Sequence, residues 1–107
     1  MSLDVMLQDS GGEDVYEFNV THNLTEMAEA SGIYLLMWRP EELDFTTAGE
    51  LIEGLTKGVA TLAADPSRFT RLEPANGWGT YAGLLRVSRR YLAACQDYPN
   101  ATISVCR

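Results

Sequence analysis

"LDVMLQDSGGEDVYEFNV" (residues 3–20) holds two runs of alternating apolar and polar side chains on either side of a glycine pair. Leu3, Val5 and Leu7 alternate with Asp4, Met6 and Gln8, and Tyr16, Phe18 and Val20 share one face of the second run. A period of two puts alternate side chains on opposite faces of an extended chain, so both runs read as half-buried strands. Between them "DSGGED" (9–14) supplies Gly11 and Gly12, which tolerate the positive φ that hairpin connections use. The stretch is a β-hairpin whose apolar face needs a cover.

The chain after residue 20 supplies that cover. In "THNLTEMAEASG" (21–32) the period becomes helical: Asn23 with Glu26 matches a capping box, and Gly32 suits the left-handed position past a helix end. "IYLLMWRPEEL" (33–43) continues as a second short helical or extended piece. Pro40 disfavours helical geometry at Arg39 and starts a new turn, with Glu41 and Glu42 near its positive end. Thr47 with Glu50 forms a second capping box before "AGELIEGLTKGVATLAAD" (48–65), where Ala48, Leu51, Ile52, Leu55, Val59 and Leu62 fall on one stripe. Gly49, Gly54 and Gly58 each weaken that helix by up to about 1 kcal/mol relative to Ala. Close packing is the reason the sequence offers for them.

Pro66 ends that helix, and a loop with room for one helical turn runs to Gly79. Tyr81, Leu84, Leu85, Ser88, Leu92 and Cys95 mark the buried face of a last helix over 80–97. "TISVCR" (102–107) is a final strand with Ile103 and Val105 inward. The expected fold is α+β in a single domain over residues 1–107. It comprises a β-hairpin, two to three helices and a C-terminal strand at the hairpin edge, giving a small antiparallel sheet with helices on one face.

The net charge of −7 conceals an asymmetry. Residues 1–53 carry twelve acidic side chains against Arg39 alone, a balance of −11, whereas residues 54–107 carry three acids against seven bases, a balance of +4. The halves either neutralise each other within the fold or leave an acidic face and a small arginine-rich one. Net negative charge argues against binding to double-stranded nucleic acid. The longest apolar run, "IYLLMW" (33–38), is too short to span a membrane, and "MSLDVMLQ" (1–8) carries no basic leader, so a cytoplasmic location is expected. In that setting Cys95 and Cys106 are expected as reduced thiols, and the sequons at Asn19, Asn23 and Asn100 carry no meaning.

Few residues carry recognisable chemistry. In "PANGWGTYAGLL" (74–85), the Gly77-Trp78-Gly79-Thr80 turn precedes the last helix. A helix start can hold an anion, with Arg86, Arg89 and Arg90 about two turns further along, so that only a long ligand reaches both. The alternative is a helix capped by Thr80 or Asn76, with Trp78 packed in the core. His22 is the one side chain suited by its ordinary pKa to proton transfer near neutrality, and it has no partner at recognisable spacing. Trp38-Arg39 offers stacking and a charge, or a tryptophan that closes the core. No spacing among Cys95, Cys106 and His22 suggests a metal site, and no nucleotide fingerprint implies a cofactor.

The segments "VTHNLTEMAEASGIYLLMWRPEEL", "ADPSRF", "NGWGTY" and "YLAACQDYPNATISVCR" together resemble a family of short bacterial and phage-encoded proteins. Its members share Thr-His-Asn, Gly-Ile-Tyr…Trp-Arg-Pro-Glu-Glu and Asn-Gly-Trp-Gly-x-Tyr segments. The resemblance brings no catalytic role. It implies that Thr21, His22, Asn23, Trp38, Arg39, Asn76, Gly77, Trp78, Gly79 and Tyr81 belong to shared patterns.

Three functional readings remain open. The first is an acidic binding or regulatory protein without catalysis, inhibitor-like or phage-related, that docks a protein partner through its charge. The second is a module for a small anionic or nucleotide-like ligand, with His22-Asn23, Trp38-Arg39 and the Asn76–Gly79 turn converging on one pocket. The third, an enzyme with His22 as general base and Thr21, Thr80 or Tyr81 in support, lacks a readable nucleophile–base–orienter set.

Overall fold

A computed structural model describes residues 1–107 in full. The hairpin forms as its periodicity requires, with β1 (Ser2–Gln8) and β2 (Asp14–Thr21) pairing antiparallel so that Leu3 faces Val20, Val5 faces Phe18 and Leu7 faces Tyr16. The turn is held by Asp9, whose carboxylate accepts from the N–H groups of Gly11 (2.9 Å) and Glu13 (3.0 Å). The register shifts by one residue between Leu7 and Gln8, a bulge at the hairpin end.

The last strand, β3 (Thr102–Cys106), pairs antiparallel with β1, giving the order β2-β1-β3. Ile103 lies opposite Leu7 and Val105 opposite Val5, so all three strands present their apolar residues to one face. β1 is central, and Leu3, Val5 and Leu7 are fully buried there. The opposite sheet face is polar and uncovered; on it Asn19 donates to Ser2 Oγ (2.9 Å) and Asp4 Oδ1 (2.8 Å).

Five α-helices cover the apolar face: α1 (Thr25–Ser31), α2 (Tyr34–Trp38), α3 (Ile52–Ala64), α4 (Pro66–Thr70) and α5 (Tyr81–Asp97). The architecture is the expected α+β one, with more helices than expected because α2 and α4 are single short turns. The ambiguous run 33–38 is helical in α2, where Leu36, Met37 and Trp38 are all buried. No helix is long and apolar enough to cross a membrane.

One local expectation needs correction. Asn23 does not cap a helix; Thr21 does, its Oγ1 accepting from the Asn23 N–H (3.2 Å) to start a 3-10 turn over His22–Leu24. The acidic and basic halves are joined by two ion pairs, Lys57–Glu53 and Arg107–Glu41. With Arg39–Glu42 these are the ion pairs, which leaves Arg68, Arg71, Arg86, Arg89 and Arg90 without an acidic partner. Of these, Arg86, Arg89 and Arg90 are exposed along α5.

The glycines of 48–65 do allow close packing. A Cβ on Gly49 would lie 3.0 Å from the Pro99 carbonyl oxygen, and one on Gly54 would lie 2.8 Å from Leu36 Cδ1. Gly49 N–H also donates to that carbonyl (2.8 Å), Ala48 N–H to Ala101 (2.9 Å) and Ile103 N–H to Thr46 (2.9 Å). Residues 46–49 thereby flank the outer edge of β3 where it begins.

Glu50 completes this corner, its Oε1 accepting from the N–H groups of Thr46 (2.9 Å) and Thr47 (3.0 Å). These backbone donors hold its carboxyl below the ordinary value of 4.5. A carboxyl that titrates lower folded than unfolded stabilises the fold above the unfolded pKa, and that contribution fades as the pH falls through the folded one. Glu50→Ala is therefore expected to melt below the wild type at pH 7, with the gap narrowing as the pH drops below the ordinary value of 4.5. Thermal scans at pH 7 and pH 3 check it, and a gap of equal size at both contradicts the assignment.

Candidate functional site

The chain's two tryptophans have opposite fates. Trp38 is 1% exposed, whereas Trp78 is 72% exposed. Trp38 stacks on Tyr34 with ring centroids 5.6 Å apart and donates from Nε1 to His22 Nδ1 at 2.9 Å. That bond places the proton of the neutral imidazole on Nε2 and commits Nδ1 to a structural contact. His22 therefore supports the core from a half-buried position.

The Asn76–Gly79 turn is shaped by one side-chain hydrogen bond and by packing at Gly79. Asn76 Oδ1 accepts from the Trp78 N–H (2.9 Å), and Gly77 and Gly79 take positive φ values of 76° and 116°. A Cβ on Gly79 would come within 2.9 Å of both Leu24 Cγ and Thr21 Cγ2, so the turn lies directly against the Thr21–Leu24 segment. Only glycine reconciles that contact with that dihedral angle.

The start of α5 is already occupied by the chain's own groups. Glu73 Oε2 accepts from the Tyr81 N–H (2.7 Å) and Thr80 Oγ1 from the Gly83 N–H (3.0 Å). A carboxylate thus sits where an anionic ligand was expected, which removes the anion-binding role of this helix start. Thr80 caps the helix, as one reading held, but Trp78 does not pack in the core as the same reading required. Tyr81, 9% exposed, donates its hydroxyl to the Leu62 carbonyl (2.7 Å) and stacks on Phe69, so it is a packing residue.

Of the three segments expected to converge, two share a surface. Trp78 lines an open depression of about 480 Å³ with Met1, Ser2, Thr21 and Asn23. Trp38 reaches this region only from beneath, through His22. Arg39 opens elsewhere, accepting company from Tyr34, whose hydroxyl takes its Nε–H (3.1 Å), and from Glu42 (3.4 Å). The Tyr34 hydrogen bond, with nearby acidic groups, raises the Arg39 pKa above its ordinary value. Its depression, about 730 Å³, is lined also by Leu35, Leu36, Leu43 and Gly54.

The polar groups singled out in the sequence for a catalytic role each make a structural contact. Thr21 and Thr80 cap turns, Tyr81 is bonded to Leu62, and Nδ1 of His22 is taken. No three His, Cys, Asp or Glu side chains come together to hold a metal ion. Both cysteines are free, Cys106 exposed and Cys95 buried, with desolvation pushing the Cys95 thiol up to about 12. Arg86, Arg89 and Arg90 are exposed along α5.

Sequence reasoning missed Glu73, whose carboxylate reaches eight residues along the chain, and the chain start at Met1 and Ser2 as part of the depression. Neither has a local signal, since both contacts depend on how the 71–80 loop folds back. Comparison with family models, with curated proteins and with solved structures finds no match for this chain.

The geometry predicts two distinguishable tryptophans. Trp78→Phe should leave a blue-shifted emission that resists acrylamide, and Trp38→Phe should leave a red-shifted emission that acrylamide quenches readily. Equal quenching of the two variants would contradict the burial assigned to each.

Proposed function

We propose that this protein is an acidic binding module without catalysis that docks a protein partner, with Trp78 as the anchor of the contact. The observation that carries this reading is an indole 72% exposed on a turn whose shape a side-chain hydrogen bond and the packing of Gly79 define. Buried aromatic anchors dominate protein–protein binding energy, and an anchor already fixed in place loses little entropy on docking. Most of the indole is left in water, where it is available for contact with another molecule.

The small-ligand reading is weaker. Its anion position is filled by Glu73, and its Arg39 faces a different depression from Trp78. The acidic first half favours a partner with basic groups facing that half, and association should slow as salt rises.

The test is parallel affinity capture from a bacterial lysate with the wild type and with Trp78→Ala, at 50 and 300 mM salt. A protein retained by the wild type, reduced at least tenfold by Trp78→Ala and weakened by salt supports the reading. Capture of the same proteins by both baits overturns Trp78 as the anchor.

A further inference from the structure

The two edges of the sheet are treated differently. The outer edge of β3 is flanked by residues 46–49, through the Ile103 N–H bond to Thr46 and a bridge between Thr47 and Thr102. Nothing pairs with the outer edge of β2. His22 N–H donates to the Met1 carbonyl (3.3 Å), and with the register this sets the phase of the ladder. Tyr16, Phe18 and Val20 exchange hydrogen bonds with β1, so Glu17 and Asn19 turn their backbone N–H and C=O outward. No hydrogen bond in the molecule reaches those four groups.

α5 runs alongside this edge, antiparallel to β2. At one end Gly79 touches Thr21. At the other, Tyr91 stacks on Tyr16 with ring centroids 6.3 Å apart, so the preceding residue Arg90 lies beside that end of β2. Arg86 lies one turn nearer Trp78, and neither arginine has an acidic partner. Four helical residues advance about 6 Å. Two strand residues advance about 6.7 Å. Successive same-face side chains of an added strand therefore match the spacing of Arg90 and Arg86.

We propose that the free edge of β2 receives an extended segment of the partner protein as a fourth strand, carrying acidic residues at alternate positions toward Arg86 and Arg90 and an apolar residue toward Trp78. Main-chain bonds to Glu17 and Asn19 supply affinity, and alternate side chains supply selectivity. Positions on the opposite face meet Glu17 and are neutral or basic. A second copy of this chain does not meet these terms: β2 paired with β2 sets Glu17 near acidic residues of its twin and brings two arginine-bearing helices together. The inference rests on the proposed function only in taking the partner to be a protein anchored by Trp78.

The probe is a random decapeptide library displayed on phage and selected on the immobilised wild-type protein. Enriched peptides are then measured as synthetic peptides against Glu17→Pro, an Arg86→Glu/Arg90→Glu double variant and Trp78→Ala. Proline is tolerated on an edge strand where its nitrogen faces solvent, and it removes one of the two outward donors. The expected result is a set of peptides with acidic residues at alternate positions, bound at least tenfold more weakly by Glu17→Pro and by the double variant. On the wild type, the Glu17 and Asn19 amides should become protected from hydrogen exchange when peptide is added, a readout independent of whether any variant folds. Peptides that lose affinity for Trp78→Ala, yet bind Glu17→Pro fully and leave both amides unprotected, would overturn the strand proposal and leave the anchor standing. Peptides lost with Glu17→Pro but indifferent to Trp78→Ala would keep the strand and overturn the anchor. Failure to enrich any peptide, or a wild-type dimer in sedimentation that Glu17→Pro dissolves, would overturn the strand proposal.

Discussion

Trp38→Ala is expected to lower the unfolding free energy by about 3–5 kcal/mol, the range for removing a buried aromatic side chain. A domain of this size holds about 5–15 kcal/mol in total, so the variant should be marginal at 37 °C. Three losses combine. The indole is 1% exposed and stacks on Tyr34 at 5.6 Å, so its removal leaves a cavity in the layer beneath α2. It also strips His22 Nδ1 of its donor (2.9 Å). Trp38→Phe keeps most of the apolar area and loses only that bond, and is expected to cost about 1–3 kcal/mol. Urea denaturation of both variants checks the order. If Trp38→Ala shifted stability by less than Trp38→Phe, Trp38 would not be the core residue described.

Gly58→Ala is expected to destabilise by about 1–3 kcal/mol, against the usual rule that alanine improves a helix by about 1 kcal/mol over glycine. The added methyl group would fall far inside van der Waals contact with Ile33 Cγ2, and 3.3 Å from the Ser31 carbonyl oxygen. Ile33 is fully buried and β-branched, so its χ1 is restricted and it yields less readily than an unbranched side chain. Gly54→Ala, in the same helix, meets only the tip of Leu36, an unbranched-at-Cβ side chain able to move, and should be near neutral or mildly stabilising. Chemical denaturation of the pair gives the comparison. Equal effects at the two positions would mean that α1, α2 and α3 are not packed as described.

These two positions show why one part of the fold was legible and another was not. The hairpin was readable because its alternation, its turn chemistry and its face assignment are local, and each is imposed within about six residues. The C-cap at Gly32 was local too: its φ of 85° is the left-handed geometry expected past a helix end. Asn23 misled because Thr21, two residues earlier, offers an equally good capping oxygen, and the winner depends on where the strand stops. Gly54 and Gly58 look alike in sequence and differ only in the neighbour that a distant segment supplies.

The candidate site divides in the same way. That "NGWGTY" forms a glycine turn before a capped helix follows from its own residues, because Asn76, Gly77, Gly79 and Thr80 each act on backbone within three positions. Which tryptophan is buried does not, since both sit beside turns in comparable local settings. The sequence by itself determined the α+β class, the hairpin with its inward face, the capped last helix and the unequal charge of the two halves, all properties set by neighbours along the chain. Only the tertiary structure decided that Trp38 is core and Trp78 is surface, that Glu73 fills the helix start, and that β1 lies between β2 and β3 with one edge left open. Those outcomes depend on segments eight to many tens of residues apart meeting through chain reversal and buried area, and no local period records such meetings.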